Sequence, residues 1–321
     1  YSEQQSETKT VNVEGGGTIE NFELFALDYD ENRHFFLSHY FRDTYDRSLA
    51  NYPFINSNVK ITRIEVWITN RATSAQTLTN ARNIVALQDV GEGPRDGNFD
   101  IPASLFNTVN PDALPDNGNN DLDPTAIGQA GSPITEAVRQ VATLQQGFTG
   151  AIANFNEGFD YAVLENARKL NTTEYTLNDQ LGYISLNQRL NNDEVLAVAF
   201  QYTKDNEVYQ VGEFANDGVD ATVSSGDTTD PNTNVEVGSS QSLVVKMLKS
   251  PIVNVTRPIW DLMMKNIYNT GAFRLEQNDF RLNIVYSNPS PVNYITAVDE
   301  SSLVLPDDVE QTTLLKVFNL D

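Results

Sequence analysis

Cysteine is absent from this sequence. That excludes disulfides, thiolate zinc ribbons, iron–sulfur clusters and thiol nucleophiles together. Histidine is nearly absent: only His34 and His39 occur. Five residues apart, they point to different faces of a helix and miss the spacing of a zinc-binding helix. His39 and Asp43 are spaced to meet, and they read as an exposed polar pair. No GxSxG nucleophile elbow accompanies either histidine, and no GxGxxG or P-loop pattern occurs. Positive charge is also scarce, with 21 Lys and Arg against 44 Asp and Glu and a net charge of −23. Such a surface repels phosphate backbones, which argues against a nucleic-acid partner, and it disfavours anionic lipid. Long apolar runs are missing too. No stretch of about 18 residues suits a transmembrane helix.

What is present is a globular pattern, with 40% apolar residues in a chain of 321, enough to bury a sizeable core. Tyr1 in place of Met reads as a segment cut from something longer. Residues 1–21 are polar, end in Gly15-Gly16-Gly17, and are expected to be a flexible lead-in. Residues 22–321 are expected to form one β-rich domain, with a division into 22–130 and 131–321 as the variant reading.

Within it, 21–30 is expected to be a strand. Leu37, Phe41, Tyr45 and Leu49 recur at helical spacing within 31–53, and Pro53 closes that helix. "ITRIEVWITNR" (61–71) is a strand whose alternation changes phase at Thr62-Arg63, which predicts a β-bulge. Arg63 is expected to point outward or to pair with a carboxylate, and Trp67 to be a half-buried anchor. Residues 82–90, 243–249 and 280–288 read as strands. Residues 175–190 and 193–214 read as hairpins turning at Asn178-Asp179 and Asp205-Asn206. Helices are expected over 132–147 and 256–271, and a short helix or strand–helix junction over 158–171. Two stretches, 93–133 and 215–240, are polar insertions. The fold class is therefore β-rich α+β, with antiparallel sandwich-like sheets and three or four helices.

The first insertion contains "PDALPDNGNNDLDP" (111–124), dense in hard oxygen donors. Asp116, Asn117, Asn119, Asp121 and Asp123 make it a candidate calcium loop. It departs from the EF-hand template where Leu122 stands in the place of the required glycine. A solvated acidic loop is the first reading, and calcium the second. No other cofactor is expected. Paired-carboxylate hydrolysis needs only two acids, but 44 acids make any chosen pair arbitrary. No catalytic residue is assigned, and the chain is expected not to be an enzyme.

Several long runs carry a resemblance. "NRHFFLSHYFRDTYDRSLANYPFINSNVKITRIEVWITNR" (32–71) and "ARNIVALQDVGE" (81–92) resemble the SprA/Sov family, the outer-membrane translocons of the type IX secretion system. The runs "ARKLNTTEYTLNDQLGYISLNQRLNNDEVLAVAFQYTKDNEVYQVGEF" (167–214), "LVVKMLKSPIVNVTRPIWDLMMKNIYNTGAFRLEQNDFRLNIVY" (243–286) and "LLKVFNLD" (314–321) are similar to the same family. The resemblance implies a soluble part of a very large β-barrel in the outer membrane of Bacteroidota, which exports folded cargo including gliding adhesins. It implies an extracellular position covering the pore, with the periplasmic side as the rival. The partners it implies are a PorV-like shuttle protein, a plug protein and secreted cargo. A free-standing surface module for glycan or protein is the second class left open, and a carboxylate-based hydrolase the third.

Overall fold

The computed structural model describes residues 22–71, 81–94, 101–107, 114–216, 241–271, 280–286, 292–294 and 312–317. The chain divides into two compact units, one of residues 30–267 and one of residues 1–29 with 268–321. The fold is β-rich α+β, as the patterning indicates. In the larger unit the elements are β1 (His34–Phe36), α1 (His39–Leu49), β2 (Val59–Ile68), β3 (Ala81–Leu87), β4 (Tyr161–Lys169), β5 (Tyr175–Asn178), β6 (Tyr183–Leu186), β7 (Leu196–Lys204), β8 (Glu207–Val211) and β9 (Leu243–Lys249). The smaller unit contributes α2 (Leu314–Val317).

β2 carries the bulge that its sequence announces. It pairs antiparallel with β7, and the register shifts between Ile61 and Arg63, so Thr62 has no register mate in β7, although its hydroxyl donates to Gln201 O at 3.2 Å. Because side chains alternate with period two, one extra residue exchanges the faces. Val59 and Ile61 thereby join Ile64, Val66 and Ile68 on one side. Arg63, Glu65 and Trp67 take the other, and that side is covered as well. The Arg63 guanidinium lies 3.7 Å over the Phe214 ring. Glu65 accepts a hydrogen bond from Ala215 N at 3.0 Å and pairs with Lys169 at 2.5 Å. Trp67 is 1% exposed, fully buried instead of half-buried, and the Lys169 ammonium lies 5.9 Å from its ring centre.

The main sheet returns on itself. β7 gives one edge to β2 and shares the other, with β8 at its Phe200–Lys204 end and β9 at its Leu196–Val198 end. β9 runs parallel to β3, and β3 antiparallel to β4. β4 meets β2 at Trp67–Lys169 and Ile68–Arg168. The order β2-β7-β9-β3-β4-β2 is a closed five-stranded ring with β8 outside it, and strands from both sides of residue 130 are interleaved in it. Closure of this kind removes most open edges. All seven residues of β9 are buried, as befits a strand flanked on both edges and both faces.

A second sheet, β1-β6-β5, lies beside α1. The expected helix of 31–53 is shorter, because 34–36 pairs with β6 as β1. Phe41 of α1 packs on Phe200 and Tyr202 of β7, with ring centres 6.1 and 5.9 Å apart. Both hairpins form where their turn residues place them. Asp205 and Asn206 have φ of 51° and 67°, the left-handed pair that a two-residue hairpin turn requires.

Other segments differ from expectation. Residues 132–147 form two 3₁₀ turns, Glu136–Arg139 and Val141–Gly147, instead of an α-helix. Their ends are drawn together by Thr135 N to Gly147 O and Thr149 N to Pro133 O, both 2.9 Å, which closes a compact loop. Residues 161–169 are a strand, not a helix. Asn166 (φ 53°) interrupts the alternation opposite a register shift in β3, and so hid the period of two. In 256–271 only Pro258–Leu262 turns, as 3₁₀. Met263 and Met264 then extend to pair with β1, where Met264 N donates to His34 O at 2.9 Å. Backbone pairing at a strand edge outweighs helix propensity there.

In the smaller unit the expected strands at 21–30 and 280–288 are absent from the described residues. Tyr29 bridges Tyr268 and Tyr286 bridges Val292 as isolated pairs. Residues 1–21 and 217–240, which hold the lead-in and most of the second insertion, lie outside the described residues.

Candidate functional site

The end of β3, the first turn of α1 and the middle of β9 converge on a buried set of charges. Lys246 of β9 is 0% exposed and Glu92 is 1% exposed, with Nζ and Oε1 2.7 Å apart. Lys246 Nζ also donates to Gln88 O at 3.1 Å. Glu92 Oε1 accepts from the backbone N–H of His39, the first residue of α1, at 3.2 Å. The N-cap residue Ser38 makes no side-chain cap, so Glu92 places a carboxylate at that helix end from another part of the chain. His39 does not meet Asp43. Its ring is buried, with Nδ1 3.2 Å from Glu92 Oε1 and Nε2 2.9 Å from Pro258 O. Asp43 instead pairs with Arg42 at 3.5 Å.

Burial alone would push the Glu92 carboxyl up. The Lys246 ammonium and then His39 outweigh it and hold the group well below the usual carboxylate range. Glu92 therefore contributes stability that is complete above its unfolded value near 4.5 and is lost as pH falls through its lower folded value. Urea unfolding between pH 6 and pH 3 is expected to show this. The stability gap between wild type and Glu92→Gln should narrow steadily below about pH 4.5.

The acidic-looking loop lies against this centre, and it is not a solvated loop. Asn117, Asn119 and Asn120 are buried, together with Leu114 and Leu122. Asn120 Nδ2 donates to Asp89 O (2.8 Å) and Glu92 O (2.9 Å), and its Oδ1 accepts from Leu122 N (2.9 Å). Asn119 Nδ2 donates to Gly91 O at 3.2 Å and also to Leu114 O. Asn117 Oδ1 accepts from Gly212 N at 2.8 Å, and Asp116 Oδ1 from Gln210 N at 3.2 Å, so both engage the outer edge of β8. Burial, against those amides, leaves the Asp116 carboxyl raised above its usual value. Asp123 caps the 3₁₀ turn at Thr125 through a 2.8 Å bond. Asp121 is half-buried, with its backbone N–H on Leu105 O at 2.8 Å.

Four of the five candidate calcium ligands thus spend their side chains on backbone groups, and the loop works as a clasp between the 89–92 turn and the edge of β8. Among the described residues, no group of three or more His, Asp or Glu side chains is arranged to hold a metal ion. Asn120→Ala would leave two buried carbonyls and one amide without this partner. It is expected to cost about 2–3 kcal/mol in chemical denaturation, within the range for unsatisfied buried groups.

Two further buried cations repeat the theme. Arg139 makes a bidentate pair with Glu213, which also accepts from Val244 N at 2.8 Å. Lys249 Nζ donates to the carbonyls of Glu194 (2.7 Å), Asn192 (2.8 Å) and Ser250 (3.3 Å), and burial pulls it down to about 8. None of these cations was legible as buried in the sequence. The available signal was the position of Lys246 and Lys249 inside an otherwise apolar strand. Chemically, the Glu92–Lys246–His39 centre fixes charge in a closed interior: its three residues are at most 1% exposed and offer a substrate no open face.

No described helix is long and apolar enough to cross a membrane. No curated protein matches the chain. A family model does, over residues 1–208, a span that takes in β1 to β7 and the Asn-rich loop of residues 114–123. By that match the chain belongs to the SprA_N family, described as motility related/secretion protein.

Proposed function

We propose that this chain is a soluble part of an outer-membrane translocon of type IX secretion, placed on the extracellular side as a cover over the pore. The observation that carries this reading is the family match over residues 1–208, which makes the chain a motility related/secretion protein. The extended runs of residues 32–71 and 167–214 add the translocon likeness. A PorV-like shuttle protein, a plug protein and passing cargo are the partners of the assembled channel. The chain itself binds no cofactor and performs no catalysis in this reading. Its acidic surface, with a net charge of −23, suits a cover that must not adhere to folded cargo or to lipid head groups.

The sequence has no cysteine, so an engineered thiol is unique within these 321 residues, and the unsubstituted parent is the control for any thiol elsewhere. Ala130 is exposed. Ala130→Cys in the full-length parent is expected to react with a membrane-impermeant maleimide on intact cells. Labelling that occurs only after lysis would place the segment on the periplasmic side and refute the cover.

A further inference from the structure

β2 ends at Ile68, but β4, which it joins at Arg168 and Lys169, runs on to Tyr161. Gln88 N donates to Asp160 O at 3.2 Å, which sets the phase of the β3–β4 ladder. Alternation along an antiparallel pair then turns the backbone groups of Ala162 and Leu164 toward β3, and those of Tyr161, Val163 and Glu165 away from it. The outward carbonyl of Tyr161 takes Gly158 N at 2.7 Å. The outward N–H and C=O of Val163 and Glu165 meet no strand among the described residues. Among the described residues, Val163 to Glu165 is therefore a short interval of open edge in the ring.

That interval faces a cleft of about 490 Å³, walled by Glu157, Glu165, Asp193, Val195 and Pro251. Asp193 is paired with Arg71. Glu157 and Glu165 are exposed and have no cationic partner among the described residues. Beyond Pro251, the side chains of Ile252, Val253 and Val255 are 44%, 47% and 65% exposed, an apolar shelf that continues from the wall of the cleft.

We propose that this edge takes an extended segment of a partner polypeptide by strand addition. The segment would be four or five residues long and would alternate β-branched residues with Lys or Arg. Backbone groups of Val163 and Glu165 would supply the pairing, and main-chain bonds of this kind carry affinity in strand-addition complexes. The carboxylates of Glu157 and Glu165 select a basic segment, and the 252–255 shelf receives its apolar side chains. A second copy of this chain is disfavoured as occupant, because two bodies of net charge −23 repel. The inference rests on the geometry of β4 and stands apart from which side of the membrane the chain occupies.

The test uses the whole 321-residue chain and a fluorescein-labelled hexapeptide of alternating Val and Lys. Saturable binding by anisotropy is expected. Binding should weaken about tenfold or more when alternate peptide nitrogens are methylated, as the loss of one or two backbone bonds implies. A Glu-for-Lys peptide should bind no better. Glu165→Lys, at an exposed position, should weaken the Lys peptide and strengthen the Glu peptide. Val163→Pro removes an outward donor that β3 does not use, a substitution tolerated at sheet edges, and should also weaken binding about tenfold. If Val163→Pro does not fold, the methylated peptide and Glu165→Lys decide the matter. Equal affinity for methylated and parent peptides would rule out strand addition. So would no saturation up to about 1 mM, or a dimer of the chain that Glu165→Lys alone dissolves.

Discussion

Replacing Lys246 by methionine is expected to destabilise the larger unit by about 3–5 kcal/mol, the range for removing one partner of a buried ion pair. Methionine fills nearly the same volume in β9, so little of that loss is packing. The loss comes from Glu92, left 1% exposed with a charge that only His39 and a helix end still face. The carboxyl should then titrate upward, because burial, the influence that raises it, loses its strongest opponent. Glu92→Leu alone should cost a similar amount by stranding the ammonium. The double variant should recover much of the difference, since apolar replacements of buried pairs are often neutral. Urea unfolding of the four proteins closes the cycle. Additive losses in the double variant would show that the two groups do not depend on each other.

Gly182→Ala is expected to cost roughly 2–5 kcal/mol, combining overpacking with a left-handed backbone position. Gly182 ends the turn between β5 and β6 with φ of 65°, and its carbonyl accepts Leu37 N at 2.9 Å. A Cβ there would stand 2.2 Å from Phe41 Cγ and 2.3 Å from Cδ1. The ring cannot retreat easily, because Phe200 and Tyr202, both 0% exposed, lie against it. Gly131→Ala is the matched control: φ is 93° and nothing lies within 4 Å of the added carbon. It should cost only the backbone part, about 1–2 kcal/mol. Equal losses at the two sites would mean that Phe41 does not resist the methyl group.

These residues also show what a sequence discloses. The Thr62 bulge was readable because the phase of an alternating strand can be counted along one segment. Asp205-Asn206 was readable because turn chemistry is local. The 3₁₀ turns in 136–147 carry the sequence pattern of an α-helix because a spacing of three or four residues fits both, and only the bonds joining Thr135 to Gly147 decide between them. The Asn-rich clasp has the sequence pattern of a solvated loop for a related reason. Asparagine side chains suit water equally well until a particular set of buried carbonyls, such as those of Asp89 and Glu92, is placed against them. Ring closure was not readable at all, since each of its pairings joins residues far apart in the chain.

That distance governs how the larger unit folds. β2 pairs with a strand more than 120 residues later, as in Ile68 with Leu196, and β3 with one still further on, as in Ile84 with Leu243. Loop-closure entropy must be met before such contacts form, and chains of high contact order fold slowly. β9 is the last strand to be made, yet it occupies the middle of the sheet, between β3 and β7. Until residue 249 is available, β3 and the Leu196–Val198 end of β7 present bare edges, and Glu92 waits without its cation. A chain ending before Leu243 should therefore be more prone to aggregate than one that runs through Met264, which also covers the edge of β1.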